Sequence, residues 1–546
     1  MTNIILIGDI RQPLTTDLRH ALGEAHLLTP QEFGGPQDSA DAEASYVYLP
    51  TPADHDGMTP DLIEAQHVIQ CSARLRGRQF VLLSSALVYG TGPGRQALVS
   101  EEYSAPGCDK REICDQWRAL ESLVFSQLEN CIPLTVLRLP VVLGSSALPA
   151  RLLSQRFPVT LPGHDPVLQL LSVPDLACAI ASILERRASG IFNVAPESVV
   201  PLHSAIRIAN GIRVPFPRTL QRLVHRSETL DYLRYSWTIS GEKMKRELGF
   251  APQQSSVAAL VELRNGNAPA PEKEPQFDRF GMDKDYIEFY GKTLFKFLSE
   301  FYWRIEDKGI EHIPAQGRGV LVGMHRGFMP WDGVMALHTM VKKSGRYPRF
   351  LTHPGLLKFP FLANFMTKLG GVVACQESAD RVLENNELLG IFPEGIHGAF
   401  TPYRQAYKLQ AFGRDAFVKL ALRHRAPIVP FVTVGSAEIF PILGKIKSRR
   451  WTRYTDWPYI PLTPTFPLLP VPLPSKWHTQ FLPAISTDQY PPEAAENRAI
   501  VRVISREVRT RMQQAVDDML SRRRSLFFGS IFERRPDESQ SKPVPV

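Results

Sequence analysis

Four short apolar runs recur within the first 140 residues: "NIILIG" (3–8), "ASYVYLP" (44–50), "FVLLSS" (80–85) and "PLTVLRL" (133–139). Between and after them lie stretches with helical periodicity, at 14–23, 59–75, 113–129 and 174–186. A strand that is apolar on both faces has to be covered on both faces. Strand–helix alternation of this kind predicts an α/β fold, a doubly wound parallel sheet held between two helical layers.

The pattern stops at "RNGNAPAPEKEPQF" (264–277), which has no apolar period and reads as an interdomain linker. A chain of 546 residues is too long for one ordinary domain, so a second core is expected beyond it. There an aromatic helix is expected over 284–303, with Ile287, Tyr290, Leu294, Phe297, Leu298 and Phe301 forming one apolar face. Strands follow at 319–324, 371–374, 388–392 and 427–433, and a last helix at about 495–523. The reading is a Rossmann-like domain over 1–263, the linker, a second α/β domain over 278–532, and a polar, Pro-rich disordered tail over 533–546.

Charge divides at the same place. Residues 1–277 hold 25 Lys and Arg against 29 Asp and Glu, and residues 278–546 hold 38 against 26. A basic C-terminal half points to an anionic partner such as phosphate groups or lipid headgroups. Nucleic acid is set aside, because no recognition module or base-stacking pattern accompanies the charge. The six cysteines (71, 108, 114, 131, 178 and 375) form no Cys-x-x-Cys pair, which reads as reduced thiols in a cytoplasmic protein and gives no metal site. The first residues lack a basic segment before their apolar run, so they read as a strand rather than a signal peptide. No window of about 18 apolar residues predicts a membrane span.

In the first half, "FVLLSSALVYG" (80–90), "LTVLRLPVVLG" (134–144), "LLSVPDLACAI" (170–180), "GIFNVA" (190–195) and "ISGEKMKRELGFAP" (239–252) occur in that order. Together they resemble the extended short-chain dehydrogenases, the NAD-dependent epimerase/dehydratase family. The resemblance implies a Rossmann fold, with Gly8 and Ser85 at positions that in the family serve the NAD(P) site. Other parts are missing. Arg11 and Leu14 stand where the next two glycines of the phosphate turn belong, and Ile113 and Trp117 stand where the acid/base Tyr and Lys belong. No acidic residue obviously ends the second strand, "HLLTPQ", to hold a ribose. This half is therefore read as non-catalytic.

The second half contains "VLVGMHRGFMPWDGVMALH" (320–338), in which a buried strand runs into His325 and a corner leads to Asp332 at the start of a helix. Transfer of an acyl group from a thioester to an alcohol needs a base for the alcohol proton. Imidazole, ionising near neutrality, suits this, and a carboxylate beside it fixes the tautomer. The hydroxyl of the acceptor takes the place of a serine nucleophile, and no Gly-x-Ser-x-Gly is present. With "NELLGIFPEGIHG" (386–398) and "APIVPF" (426–431), the set resembles the lysophospholipid acyltransferase superfamily. "HRGFMPWDG" is closer to its diacylglycerol and phytyl-ester acyltransferase-like branch, because six residues rather than four separate the His and the Asp.

The resemblance implies that His325 is the base and Asp332 its orienter, and that Glu394 and Gly395 hold the acceptor. Arg326 and Arg404 are further substrate-binding candidates. Cys375 and Gln376 stand where the family's phosphate-binding Arg is usual, which favours a neutral alcohol; Arg381, Arg404 and Lys408 are the available substitutes. Acyl-CoA or acyl-carrier protein is the expected donor, and acyl transfer of this kind requires no cofactor. The aromatic helix, "KIKSRRWTRY" (445–454), "YIPLTPTFPLLPVPLP" (459–474) and "SRRRSLFF" (521–528) suit peripheral contact with the inner face of a membrane. The competing classes are an NAD(P)-dependent epimerase or reductase with an appended lipid-binding domain, and a silent membrane scaffold. No pattern fixes an oligomeric state.

Overall fold

The computed structural model describes residues 3–23, 25–35, 43–103, 112–216, 228–265, 277–413, 415–469 and 471–532. Most of the expected linker and all of the expected tail lie outside them. The chain forms two compact units, Met1–Asp283 with Phe359–Thr367, and Lys284–Lys358 with Lys368–Val546. The boundary thus differs from the expected one at 278: the first unit runs to 283 and includes a nine-residue segment from the second half of the chain.

The first unit is the doubly wound fold. Strands β1 (Ile4–Ile7), β2 (His26–Leu28), β3 (Ser45–Tyr48), β4 (Gln79–Ser85), β5 (Leu134–Leu139) and β6 (Gly190–Asn193) form one parallel sheet in the order β6-β5-β4-β3-β1-β2. Successive strand residues point to opposite faces. Ile7, Tyr46, Tyr48, Phe80, Leu82 and Val136 meet helices α2 (Leu62–Leu75) and α3 (Glu112–Leu128) on one side. Leu6, Val47, Val81, Leu83 and Leu137 meet α1 (Pro13–Ala21) and α4 (Val173–Arg186) on the other. The order reverses between β1 and β3, which places a crevice at their carboxyl ends.

The second unit holds a seven-stranded mixed sheet. In chain order its strands are β7 (Glu306–Lys308), β8 (Gly319–Gly323), β9 (Arg349–Thr352), β10 (Val372–Val373), β11 (Leu388–Ile391), β12 (Ile428–Val434) and β13 (His478–Phe481). They lie in the order β7-β13-β12-β8-β11-β9-β10, all pairs parallel except β12 with β13. The central strands β8, β11 and β12 run the same way and end at the same edge, with Val322 opposite both Ile391 and Pro430.

The aromatic helix is not continuous. Helix α5 covers Lys284–Lys292; Thr293, with φ −115° and ψ −96°, breaks it, and a short turn and a π-helical turn follow to Tyr302. The break rotates the buried face, so Ile287, Phe295 and Leu298 are buried while Leu294, Phe297 and Phe301 point outward. The remaining helices used below are α6 (Trp331–Ser344), α7 (Gln376–Glu384), α8 (Ala416–Arg423) and α9 (Arg498–Arg522). Among the described residues no helix is long and apolar enough to cross a membrane, and no group of three or more His, Cys, Asp or Glu is placed to hold a metal ion.

Candidate active site

Parallel strands deliver their following loops to one edge of a sheet, which is where α/β proteins build sites. His325 comes two residues after β8 and Glu394 three residues after the adjacent β11. At the end of β8, Gly323 has no room for a side chain: a Cβ there would lie 2.4 Å from the Phe431 ring and 2.5 Å from that of Phe392. Phe392 is thereby free to pack against the His325 imidazole, their ring centres 4.9 Å apart. Gly327, at φ +66°, turns the chain back, and Pro330 occupies the cap position of α6. Asp332 falls in the first turn of that helix, where its dipole favours a carboxylate.

The corner closes on itself. His325 Nδ1 lies 3.0 Å from Asp332 Oδ2, and the Asp332 side chain is fully buried. The same oxygen accepts the Arg326 backbone N–H at 2.7 Å. With Asp332 accepting, Nδ1 carries the proton and the lone pair stands on Nε2. The imidazole keeps 14% of its surface exposed, so Nε2 can be approached from outside while the carboxylate cannot.

Arg326 and Glu394, both substrate-binding candidates from the sequence, are paired with each other. Arg326 Nη1 donates to Glu394 Oε1 and Oε2 at 2.9 and 3.0 Å, and the two side chains are 1% and 0% exposed. The guanidinium also donates to the carbonyls of His325, Ala406 and Lys408, and Glu394 Oε2 accepts the Gln410 N–H at 2.7 Å. This pair therefore ties the loop after β8, the loop after β11 and residues 406–410 into one block. Gly395, at φ +55°, turns the chain in the left-handed region, with open space above its Cα. Arg404 is exposed and lies outside the bonded set. Cys375 Sγ contacts Ser378 Oγ at 3.0 Å at the start of α7, and burial pushes its thiol pKa up.

Sequence reading names Arg326 and Glu394 but misses their partnership, along with the roles of Phe392 and the 406–410 loop. Phe392 stands in the quoted Phe-Pro-Glu-Gly block. The loop carries no signal, because it contributes backbone carbonyls and N–H groups.

In the first unit the crevice at β1 and β3 lacks the later glycines of a usual dinucleotide turn. Arg11 folds onto Asp9, its Nη2 2.9 Å from Oδ2, across the turn that a pyrophosphate would approach. Pro13 opens α1 and carries no backbone N–H. Gly8 has Thr15 and Leu49 within 3.5 Å of where a Cβ would stand. Ser85 Oγ accepts the Leu87 N–H at 3.2 Å, capping a short turn. Ile113 and Trp117 are buried, the indole N–H donating to the Met58 carbonyl at 2.8 Å. A hydrogen-bonded network runs across β4, β5 and β6: Arg138 bonds both oxygens of Glu121, which takes the Ser84 hydroxyl, and Arg138 reaches Tyr89, which donates to Asn193. Burial pushes the Tyr89 hydroxyl up to about 12, so it stays a neutral member of this network.

Comparison with known proteins matches the second site. A family model described as Acyltransferase covers residues 304–434. The chain is 36% identical over 259 residues to Uncharacterized protein Rv0502 of Mycobacterium tuberculosis (strain ATCC 25618 / H37Rv), covering 46% of this chain and 72% of that protein. It is equally similar to Uncharacterized protein ML2427 of Mycobacterium leprae, over 46% and 70%. The chain belongs to the family of these mycobacterial proteins and carries an Acyltransferase domain. That domain contains His325, Asp332, Arg326, Glu394 and the 406–410 loop.

Among solved structures, human epimerase family protein SDR39U1 with NADPH matches at TM-score 0.39 and 16% identity, over 48% of this chain and all of that one. UDP-glucuronic acid 4-epimerase from Bacillus cereus in complex with NAD matches at TM-score 0.35 and 14% identity, over 47% and 87%.

Proposed function

We propose that the Acyltransferase domain moves a fatty acyl group from acyl-CoA or acyl-carrier protein to a lipid-like alcohol, with His325 as general base. The observation that carries this reading is the His325 Nδ1 to Asp332 Oδ2 contact of 3.0 Å, beside a part-exposed imidazole. The acceptor hydroxyl gives its proton to Nε2 as its oxygen attacks the thioester carbonyl. The tetrahedral adduct then expels the thiolate, which recovers the proton from the imidazolium. Bonds and charges balance without a cofactor or a covalent enzyme intermediate. Asp332 holds the ring and stabilises its cationic form. Arg326 and Glu394 act as positioning residues, fixing the His325 loop through its backbone. Cys375 and Gln376, in place of a phosphate-binding Arg, support a neutral alcohol as acceptor.

The first unit is assigned no catalytic role, because its crevice lacks both the phosphate turn and the proton-transfer pair.

The site acts at a membrane surface on the cytoplasmic side. Three segments of the second unit support this by exposing large apolar side chains together: Phe297 and Phe301, Leu468 and Leu469, and Phe527 and Phe528. They are joined by bonds from Tyr302 to the Pro472 carbonyl and from Arg304 to the Phe527 carbonyl. Aromatic side chains among basic ones are the composition of an interfacial anchor.

The test is release of free thiol from acyl-CoA or acyl-carrier protein by purified protein against a panel of lipid alcohols. Acceptor-dependent release that disappears in His325→Ala supports the reading. Release in neither protein, with any donor and acceptor, refutes it.

A further inference from the structure

A second concavity lies on the outer side of the 406–410 loop. Residues 403–412 form one wall and helix α9 the other, around a groove of about 1050 Å³. That is at the upper end of sites that take small ligands, about 300–1,000 Å³. Its lining includes Arg404, Lys408, Arg502, Arg506 and Arg509, all exposed. Residues 502, 506 and 509 are spaced four and three apart, so α9 turns all three to one side. Among the described residues Arg404, Lys408, Arg502 and Arg506 pair with no carboxylate. Two acids also line the groove, Asp415, which accepts the Ser505 hydroxyl, and Asp517, which accepts from Gln513 at 2.9 Å, so five cationic side chains there face two carboxylates. A concavity lined by more cations than carboxylates carries a positive local potential that draws in an anion.

The groove is built rather than incidental. Its loop wall is fixed to α9 by Gln513, which accepts the Leu409 N–H at 2.8 Å and donates to the Tyr407 carbonyl at 3.1 Å, and by Arg509, which donates to the Leu409 carbonyl at 3.0 Å. The inner side of the same loop holds the Arg326 guanidinium through Ala406 and Lys408. One layer of backbone therefore separates the cationic groove from the block that carries His325.

We propose that this groove holds the phosphate-bearing nucleotide end of a coenzyme A thioester, with Arg502, Arg506 and Lys408 as phosphate contacts. This rests on the acyl-transfer reading above. Guanidinium forks match phosphate oxygens in geometry and remain charged at any physiological pH. The concavity is of cofactor size, which favours a nucleotide over the convex surface of a carrier protein. Phe412, also on the lining and edge-on to Phe417 with ring centres 5.7 Å apart, offers an apolar face for the base. The thioester lies at the far end of a long flexible arm, so phosphates on one side of the loop and an acyl carbonyl at His325 on the other belong to one donor.

The experiment compares full-length wild type with Arg502→Gln/Arg506→Gln. Desulfo-CoA binding is measured by calorimetry, and steady-state kinetics are run with acyl-CoA and with acyl-pantetheine, which lacks the nucleotide. The proposal expects desulfo-CoA affinity to fall, and KM for acyl-CoA to rise, by about tenfold or more. Unfolding temperature, kcat, and KM for acyl-pantetheine stay as in wild type. Desulfo-CoA binding that is absent in wild type or indifferent to the two substitutions overturns the groove assignment, even if acyl transfer proceeds. A variant that loses only carrier-protein-dependent activity, or only vesicle binding, overturns it in favour of those partners. Groove-dependent desulfo-CoA binding in a wild type that transfers no acyl group leaves the groove standing and refutes the acyl-transfer reading instead.

Discussion

Replacing Glu394 tests whether its carboxylate holds the fold or waits for a substrate. Both members of the Arg326–Glu394 pair are essentially inaccessible, and Glu394 takes two contacts from Arg326 Nη1 and one from the Gln410 N–H. Glu394→Ala leaves a guanidinium buried without a counter-charge, which costs about 3–5 kcal/mol. Arg326→Ala costs a similar amount, since it strands the carboxylate and frees the carbonyls of His325, Ala406 and Lys408. The double variant loses less than the sum, because the shared penalty is counted once, with a coupling of roughly 2–3 kcal/mol. The assay is urea unfolding followed by tryptophan emission for wild type, both single variants and the double. Trp303, Trp331, Trp451, Trp457 and Trp477 all lie in the unit concerned. Additive losses below about 1 kcal/mol each would refute the buried-pair argument. A Glu394→Gln variant of unchanged stability and raised acceptor KM would return Glu394 to the role of an acceptor contact.

Other consequences are direct. Asp332→Asn keeps the shape of the corner but loses the charge behind the imidazole, so kcat in the thiol-release assay falls roughly 10²–10⁴-fold while the protein stays folded. His478 is 1% exposed, and burial lowers its pKa from 6.5 to about 4. The unfolded chain then binds a proton below pH 6.5 that the folded chain refuses. Stability is therefore lost as pH falls from 6.5 toward 4, by about 3 kcal/mol, and His478→Leu removes that part of the slope in urea titrations at each pH. Phe527→Ser/Phe528→Ser weakens co-sedimentation with anionic phospholipid vesicles by tenfold or more, on the basis of roughly 1.5–3 kcal/mol for each Phe moved out of water.

Much of the fold is legible because its central strands are apolar along their whole length. "FVLLSS" and "PLTVLRL" become Gln79–Ser85 and Leu134–Leu139, buried from both sides. In the second unit the sheet strands outside that pattern are Glu306–Lys308, Arg349–Thr352 and His478–Phe481. They are short and carry polar or charged residues, and the sheet holds them by backbone pairing that no side-chain period announces. The break at Thr293 is likewise silent: the expected face at Leu294 and Phe297 is what an unbroken helix would bury, and one residue out of helical geometry brings Phe295 inside instead.

Within the site, His325 and Asp332 are readable because one corner carries both. The Arg326–Glu394 pair joins residues 68 positions apart and exists only because their strands are parallel neighbours. The cationic groove needs a third region, α9, whose arginines taken alone read as a solvated helix face.

The most direct test of the central claim is lipid mass spectrometry of cells expressing wild type or His325→Ala at equal protein levels. The account predicts an acylated lipid that appears with wild type and is absent with His325→Ala. The same acylated-lipid profile in both would contradict it.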